Sequence, residues 1–236
     1  RDPTVFIIGE DVGKPGGPFG VTRGIIDEFG PERAVDTPIS EGAIVGLCVG
    51  AAAAGLRPVA EIMFMNFITL CVEEFYNQAS KMRWMFGAQV KVPMVVRAMT
   101  AGGYGAGPHH SSTLEGWFAS MPGLKVVMPS TPVNAKGLMK AAIRDNDPVI
   151  FMEHKFLYKR LKGPVPEGEF LVPFGKGDIK RPGEDVTIIA TGNMVRRALE
   201  AADALAAKGV SAEVLDPRTI VPLDEEAIVQ SVKKTG

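Results

Sequence analysis

Short apolar runs alternate with helical segments along most of this chain, and this alternation limits the folds that it can adopt. Segments with helical periodicity occur at 42–55, 68–82 and 132–145. Runs short and apolar enough to be strands occur before residue 155 at 5–8, 35–40, 59–64, 94–98, 125–128 and 149–152. A strand, a helix and a further strand form a crossover between parallel strands. The sequence therefore predicts an α/β fold with a mostly parallel sheet.

Charge and composition exclude several broad classes of protein. Lys and Arg number 26 and Asp and Glu 27, so the net charge is −1 and there is no basic surplus for binding nucleic acid. Hydrophobic residues make up 46% of the chain and charged residues 22%, as in a globular protein. The apolar, uncharged run 42–56 is shorter than the roughly 18 residues that a membrane span needs. We therefore expect neither a nucleic-acid partner nor a membrane segment.

The cysteines and the start of the chain bear on the cellular compartment. Cys48 and Cys71 both lie in apolar helical segments, and two cysteines make no disulfide framework. Residues 1–3 do not have the pattern of a signal peptide. A reducing compartment is expected, with the cytoplasm of a bacterial cell first and the mitochondrial matrix as an open alternative.

Glycine and proline are concentrated at 160–184, where the alternation stops. This composition predicts a first domain at 1–162, a linker at 163–184 and a second domain at 185–236. The second domain contains two predicted strands, each followed by a helix. Such a small unit buries too little surface to be stable alone, so we expect it to be the truncated start of a larger domain.

The motifs that most often identify an α/β enzyme are absent or incomplete. The glycine-rich run 102–108 lacks the G-x-G-x-x-G spacing, and no Walker motif occurs. The histidines and cysteines do not have the spacing of a zinc site. The segment 38–42, PISEG, differs from the G-x-S-x-G elbow of hydrolases at its first residue. In a hydrolase, Ser40 would be the nucleophile and His110 or His154 its base. Glu41 would put a negative charge beside the oxyanion, so an N-cap role suits Ser40 better.

Glu41 is the most informative residue in the chain. The predicted helix that follows it, 42–55, carries no charge. An acid in a first turn commonly complements the helix dipole, which favours a structural role. A carboxylate at the carboxyl edge of a parallel sheet, however, lies where α/β folds bind ligands. The residues alone leave both interpretations open, with the structural one favoured.

Several motifs, in order along the chain, resemble one enzyme family. They are DTPISE at 36–41, GLRPVAE at 55–61, VVMPSTP at 126–132, AKGL at 135–138 and DNDPVIF at 145–151. In these motifs the chain resembles the β subunit of the thiamine-diphosphate-dependent 2-oxo acid dehydrogenases. This is the decarboxylating component of the pyruvate, branched-chain 2-oxo acid and acetoin complexes. The resemblance extends over nearly the whole chain.

The resemblance implies a fold, cofactors and partners. The fold would be a parallel-sheet pyrimidine-binding domain with the thiamine-diphosphate fold, followed by the start of a transketolase C-terminal-like α/β domain. In this family an α subunit holds the diphosphate and Mg²⁺ through a G-D-G motif, which this sequence lacks. We therefore expect an α2β2 heterotetramer that shares thiamine diphosphate between its α and β chains. A lipoyl-bearing acyltransferase would accept the acyl group.

The resemblance also implies roles for single residues. Glu41 would hydrogen-bond a ring nitrogen of the aminopyrimidine and stabilise the imino form that takes a proton from the thiazolium carbon. Phe67 would stack on the aminopyrimidine with Met63 as its apolar neighbour, although spacing alone favours core packing for both. His110 would lie beside the reacting centre and assist proton transfer or acyl transfer to the lipoyl group. The residue before it is His109 here and Gln in the family, a departure that bears on local polarity and substrate preference.

A second loop resembles a potassium site of the same family. Asp145 matches this loop, in which backbone carbonyl groups of Ala142, Ile143 and Asp147, with Met94 nearby, would form an oxygen cage. Hard cations prefer such oxygen ligands. The alternative from the residues alone is that Asp145 simply ends a helix.

The resulting prediction is a β subunit of a 2-oxo acid dehydrogenase, an oxidoreductase component that is active only with its α subunit and transfers an acyl group to lipoyl. The first alternative is the β subunit of an acetoin dehydrogenase. A second is a non-catalytic scaffold that keeps only the fold, although Glu41, Phe67 and His110 together argue against it. A serine hydrolase built on Ser40 is the most distant alternative.

Overall fold

The structure, a computed structural model, describes residues 2–236 except for the side chain of Lys159. Its α-helices are α1 (Ile25–Phe29), α2 (Glu41–Ala53), α3 (Ser80–Met85), α4 (Glu115–Ala119), α5 (Pro132–Arg144), α6 (Lys155–Arg160), α7 (Asn193–Ala206) and α8 (Glu225–Thr235). Its strands are β1 (Val5–Gly9), β2 (Ala34–Asp36), β3 (Arg57–Ile62), β4 (Val95–Thr100), β5 (Lys125–Val127), β6 (Val149–His154), β7 (Asp178–Arg181), β8 (Val186–Ile189), β9 (Ala212–Asp216) and β10 (Thr219–Val221). The remaining helical segments are 3₁₀ helices at Met65–Cys71 and Pro108–His110 and a π-helix at Glu74–Ala79.

The strands form two sheets. The larger one has the order β10-β5-β6-β4-β3-β1-β2, and every pair in it is parallel except β10 with β5. The smaller one has the order β7-β9-β8, in which β8 and β9 are parallel and β7 is antiparallel. The predicted α/β class with a mostly parallel sheet is confirmed.

Helices cover both faces of the larger sheet, because its central strands carry apolar residues on both sides. On one face α2 and the helical segments that follow β3 enclose a core with Ile62 and Val96 at its centre. On the other face α5 packs through Leu138 and Ala142 against Val95. This covering leaves the strand ends as the open part of the sheet.

The structure differs from the sequence prediction in the short and irregular elements. Strand β7 lies inside the segment predicted as an extended linker, and β10 lies between the last predicted strand and the last helix. Both are short antiparallel edge strands, so neither has the apolar run of a central strand. The helix predicted at 68–82 is divided into 3₁₀, π and α turns, yet Ile68, Cys71 and Phe75 are buried along it as the periodicity indicates. The division into domains at 162 and 184 stays a prediction.

Asp216, the last residue of β9, links the second sheet to the first. Its fully buried carboxylate accepts hydrogen bonds from the Ser130 hydroxyl, from Asn134 Nδ2 at 3.4 Å and from the Arg218 N–H at 2.9 Å. Burial raises the pKa of Asp216, and the Ser130 hydrogen bond opposes that rise. Since β10 also joins the larger sheet, the C-terminal part packs directly on the first part.

A buried group of charges lies across three neighbouring strands of the larger sheet. Arg97 on β4 is 3% exposed and donates to the carboxylate of Glu61 on β3 and to Glu153 Oε2 on β6 at 2.5 Å. The Tyr158 hydroxyl accepts from Arg97 Nη2 and donates to Glu153 Oε2, both at 2.7 Å. Each buried charge is therefore paired, as burial in a medium of low dielectric requires.

Both cysteines lie in the core beside the larger sheet. Cys48 and Cys71 are buried free thiols, and burial raises the pKa of Cys48 to about 12. Over the residues that the structure describes, none of the helices combines the length and apolar character needed to cross a membrane.

Candidate active site

The carboxyl ends of the parallel strands bring three predicted site residues to one edge of the larger sheet. Glu41 begins α2 shortly after β2, and Phe67 lies on the 3₁₀ helix that follows β3. His110 lies in the glycine-rich segment after β4. Carboxyl ends of parallel strands share one edge of a sheet, where open α/β folds bind ligands. The fold therefore places Glu41, Phe67 and His110 at that edge.

Glu41 is buried although its side chain is ionisable, with 8% of its surface exposed. As the first residue of α2 it lies at the positive end of the helix dipole, which stabilises its charge. Among the described residues its carboxylate has no hydrogen-bond donor, and the Ser40 side chain makes no capping bond either. A buried carboxylate with unused acceptors suits a ligand that brings an N–H group.

The charge of Glu41 affects two neighbouring side chains. Partial burial raises the pKa of Glu10, in the loop after β1, and the charge of Glu41 raises it further. Burial also raises the pKa of the Cys71 thiol, with contributions from Glu74 and Glu41. These effects put Glu41 between the loop that follows β1 and the helical segment that follows β3.

Two phenylalanines and a histidine form an aromatic cluster at this edge. The ring centroids of Phe64 and His110 are 4.5 Å apart, and Phe67 lies 5.6 Å from His110 and 5.9 Å from Phe64. All three pairs meet edge to face, the arrangement that the ring quadrupoles favour. Phe67, like the neighbouring Met63, is only partly buried. The cluster therefore presents aromatic surface on which a planar heterocycle can pack.

Asn66 holds the segment that carries His110. Its amide nitrogen donates to the Pro108 carbonyl at 2.9 Å and to the Ser112 hydroxyl at 2.6 Å, and its oxygen accepts from the Ser112 N–H at 3.2 Å. Gly107 has a φ of 83°, a conformation that favours glycine. Within the described residues, no protein group hydrogen-bonds the imidazole of His110, so both of its nitrogens are available to a substrate.

Three residues of this edge were not predicted from the sequence: Phe64, Asn66 and Lys155. Phe64 contacts His110, Asn66 anchors its loop, and the buried Lys155 donates to its carbonyl oxygen. Only Lys155 could have been predicted from its position, because it directly follows β6, a strand whose carboxyl end faces the site. Phe64 and Asn66 had no signal beyond their neighbours in the chain.

The residues of the predicted potassium loop also come together, at the opposite edge of the sheet. Asp145 and Asp147 precede β6, and Met94 precedes β4. The carbonyl oxygens of Ile143 and Asp145 both accept from Arg57 Nη1 at 2.8 Å, and the carbonyl of Ala142 accepts from the Asp145 N–H at 3.2 Å. Since a carbonyl oxygen has a second lone pair, these contacts leave acceptors for a cation.

Side-chain charges around this loop are balanced by cations of the protein itself. Lys125 Nζ donates to both carboxylate oxygens of Asp145 at 2.6 Å and to Asp147 at 3.3 Å. No group of three or more His, Cys, Asp or Glu suited to a metal occurs in the part of the chain that the structure describes. A potassium site here would therefore depend on backbone oxygens, and it stays a prediction.

The serine hydrolase alternative finds no support in the geometry. Ser40 occupies the N-cap position of α2, but its hydroxyl makes no capping hydrogen bond. Among the described residues, Ser40 hydrogen-bonds neither a histidine nor a carboxylate. His154 is committed elsewhere, since Nε2 bonds the Gly102 carbonyl at 3.2 Å and Nδ1 accepts from the Phe156 N–H at 3.3 Å. Hydrolase chemistry requires a nucleophile and a base within hydrogen-bond reach, and Ser40 has no such base in the part of the chain that the structure describes.

Comparison with known proteins identifies both parts of the chain. Residues 1–160 match the transketolase pyrimidine-binding domain, and residues 175–236 match the transketolase C-terminal domain. A solved split-gene transketolase, described as an inactive β4 tetramer, has a TM-score of 0.80 at 25% identity and matches over 100% of this chain and 72% of its own.

Sequence relatives are more similar still. The chain is 49% identical to the β subunit of 2-oxoisovalerate dehydrogenase and 46% identical to the β subunit of the pyruvate dehydrogenase E1 component, both from Bacillus subtilis. It is 50% identical to the β subunit of acetoin:2,6-dichlorophenolindophenol oxidoreductase from Cupriavidus necator. All of this chain aligns with each relative, covering 72–73% of the relative's length. The chain therefore belongs to the family of transketolase-like β subunits of the 2-oxo acid dehydrogenase E1 components.

Proposed function

We propose that this chain is the β subunit of a 2-oxo acid dehydrogenase, in which Glu41 activates thiamine diphosphate held between this chain and an α subunit. The observation that carries the proposal is the buried carboxylate of Glu41, which has no hydrogen-bond partner among the described residues. The match of residues 1–160 to a pyrimidine-binding domain supports it, because that domain contains Glu41. When bound, thiamine diphosphate supplies a nucleophilic carbon and an electron sink for cleavage next to a carbonyl group.

Each residue at the site edge has a role in this proposal. Glu41 would share a proton with a ring nitrogen of the aminopyrimidine, and burial strengthens that hydrogen bond because the local dielectric is low. Phe67 would stack on the ring, with Met63 packed beside it. His110, whose imidazole has no protein partner among the described residues, would exchange a proton with the reacting substrate.

The other half of the cofactor site would come from the α subunit, which would hold the diphosphate and Mg²⁺ in an α2β2 assembly. Apolar side chains close to Glu41 support this partner, since Ile39 is 81% exposed and Leu70 is 62% exposed. The Leu70 carbonyl lies 3.3 Å from an ideal Cβ at Gly42, the residue after Glu41. Exposed apolar side chains grouped in this way are typical of a protein interface.

Turnover is expected only after assembly with an α subunit. The purified chain with thiamine diphosphate and Mg²⁺ should turn over no substrate, because it contributes only part of the site. Co-expression with candidate α subunits should give activity with an artificial electron acceptor, on a panel of pyruvate, branched-chain 2-oxo acids and acetoin. Turnover of pyruvate by the purified chain alone would refute the proposal.

A charged side chain introduced at the proposed interface with the α subunit tests the same assembly. Leu70→Glu should prevent co-purification with the α subunit, because it places a charge in an apolar contact. Leu171→Glu is the matched control, since Leu171 is 49% exposed and lies next to residues that pack on the α5 side of the sheet. Equal assembly of the two variants would show that Leu70 does not contact the partner.

Acetoin is on the panel because the chain is 50% identical to a β subunit of an acetoin oxidoreductase. A preference for acetoin would make the chain an acetoin dehydrogenase β subunit with the same site residues. In both cases we propose that the acyl group passes to a lipoyl group on an acyltransferase. The buried free thiols of Cys48 and Cys71 suit a reducing compartment, and we propose the bacterial cytoplasm first.

Potassium is expected to stabilise the chain through the loop at the amino ends of β4 and β6. Adding KCl should raise the Tm relative to choline chloride at equal ionic strength, because a ligand that binds only the folded state stabilises it. In Asp145→Ala that difference should disappear, since Asp145 orders the loop through Lys125 and the Asp147 N–H. Equal Tm values for the unsubstituted chain in the two salts would remove potassium from the proposal.

A further inference from the structure

Lys155 is a buried cation at the edge of the proposed site. It begins α6 directly after β6, and 5% of its surface is exposed. Within the described residues no carboxylate lies within ion-pair distance of its Nζ. Burial accordingly lowers the pKa of Lys155. A buried ammonium group without a counter-ion is costly, so another set of contacts must stabilise it.

Aromatic rings provide part of that stabilisation. Lys155 Nζ lies 4.1 Å from the ring centroid of Phe64, 5.3 Å from that of Tyr104 and 5.9 Å from that of Phe19. These rings come from three segments of the chain, which follow β1, β3 and β4. Cation–π attraction at such distances favours an ammonium group, most strongly when it is desolvated. A neutral apolar side chain at this position would lose that attraction.

Lys155 also contacts the His110 backbone directly. Its Nζ donates to the His110 carbonyl oxygen at 2.8 Å. The ring that it covers most closely, Phe64, is also the ring nearest to the His110 imidazole, at 4.5 Å. One ammonium group therefore contacts both the backbone of His110 and the ring against which its side chain packs. Asn66 holds the same loop on either side, through Pro108 and Ser112.

We propose that Lys155 is a positioning residue for the active site. It fixes the imidazole of His110 in two ways: its ammonium group donates a hydrogen bond to the His110 carbonyl oxygen, and it holds the ring of Phe64, against which the imidazole packs. The placement of His110 by Lys155 is argued from the contacts of this chain alone. Its effect on catalysis rests on the proposed function. Lys155 itself would not touch the reacting atoms.

The test compares Lys155→Met with Lys155→Arg. Met fills a similar volume without charge or donor, whereas Arg keeps both and can stack on aromatic rings. Lys81→Met is the matched control, because Lys81 Nζ also lies over an aromatic ring, 3.8 Å from the centroid of Tyr76, but on another part of the surface. The three histidines of the chain make the imidazole NMR signals simple to assign.

The first readout is the imidazole spectrum of the full chain, which needs no cofactor. Neighbouring aromatic rings shift the His110 signals, so release of His110 in Lys155→Met should move them towards the values of an exposed histidine. The His154 signals do not serve as a reference, because burial and the charge of the adjacent Lys155 both lower the pKa of His154. Lys155→Arg and Lys81→Met should leave the His110 signals near their original positions. Unchanged His110 signals in Lys155→Met would overturn the proposal, as would a change of the same size in Lys155→Arg. If Lys155→Met does not fold, Lys155→Gln is measured in the same way and judged by the same outcomes.

The second readout is kinetic and uses the chain assembled with its α subunit. Displacing a reacting group by about 1 Å costs up to roughly 100-fold in rate, so kcat in Lys155→Met should fall roughly 10- to 100-fold with little change in KM. Lys155→Arg should recover most of the loss. A fall in Lys155→Arg as large as that in Lys155→Met would contradict the proposed role. If the unsubstituted assembly turns over none of the panel, the proposed function fails and the NMR result alone decides the role of Lys155.

Discussion

Replacing Glu41 by Gln is expected to lower kcat of the assembled enzyme by about 10²- to 10⁴-fold, the range that general acid–base catalysis contributes. Gln has nearly the same shape as Glu but cannot take up a proton from a ring nitrogen. The fold should be kept, because α2 loses at most about 1 kcal/mol of interaction with its dipole. Decarboxylation rates and thermal unfolding of the two assemblies measure both effects.

A second effect of Glu41→Gln can be measured without the cofactor. Since the charge of Glu41 raises the pKa of Glu10, removing that charge should lower the pKa of Glu10. The titration of the Glu10 side chain, followed by NMR in the full chain, measures this change. An unaltered titration of Glu10 would mean that the carboxylate of Glu41 does not lie near Glu10.

Ser40→Ala is the matched control for Glu41→Gln. Ser40 precedes Glu41 and makes no side-chain capping bond, so its replacement should leave both activity and stability nearly unchanged. Strong loss of activity in Ser40→Ala would revive the hydrolase alternative. Full activity of Glu41→Gln in the assembled enzyme would instead favour a scaffold whose activity is supplied by another chain.

Replacing Arg97 by Met is expected to destabilise the chain by about 3–5 kcal/mol, the cost of breaking a buried ion pair on one side. The carboxylates of Glu61 and Glu153 would remain in the sheet without their shared cation. For a chain of this size the corresponding fall in Tm is roughly 10 °C. Thermal or urea unfolding of the full chain measures it.

Arg181→Met is the control for Arg97→Met, because Arg181 pairs with an exposed carboxylate, Asp203, and such pairs add little stability. A loss for Arg97→Met no greater than that of the control would show that the two glutamates find other partners.

The regular part of the fold was predictable because apolar periodicity reports burial directly. The strands in the middle of the larger sheet, such as β4 and β6, have apolar runs that only a doubly covered strand requires. Strands β7 and β10 were missed because they are short, lie at sheet edges and are stabilised by pairing with a partner strand. The pairing of β10 with β5 depends on a contact between distant parts of the chain, which local sequence does not contain.

The site residues were likewise predictable only in part. The sequence by itself determined the α/β class, the position of Glu41 at the start of an uncharged helix, and the family motifs that point to Glu41, Phe67 and His110. Only the tertiary structure decided that Glu41 is buried without a hydrogen-bond partner among the described residues and that Lys155 lies against His110, 45 residues away. The physical reason is that periodicity depends on neighbours within one element, whereas burial, pairing of charges and the enclosure of a cation by three rings depend on which elements the fold brings together.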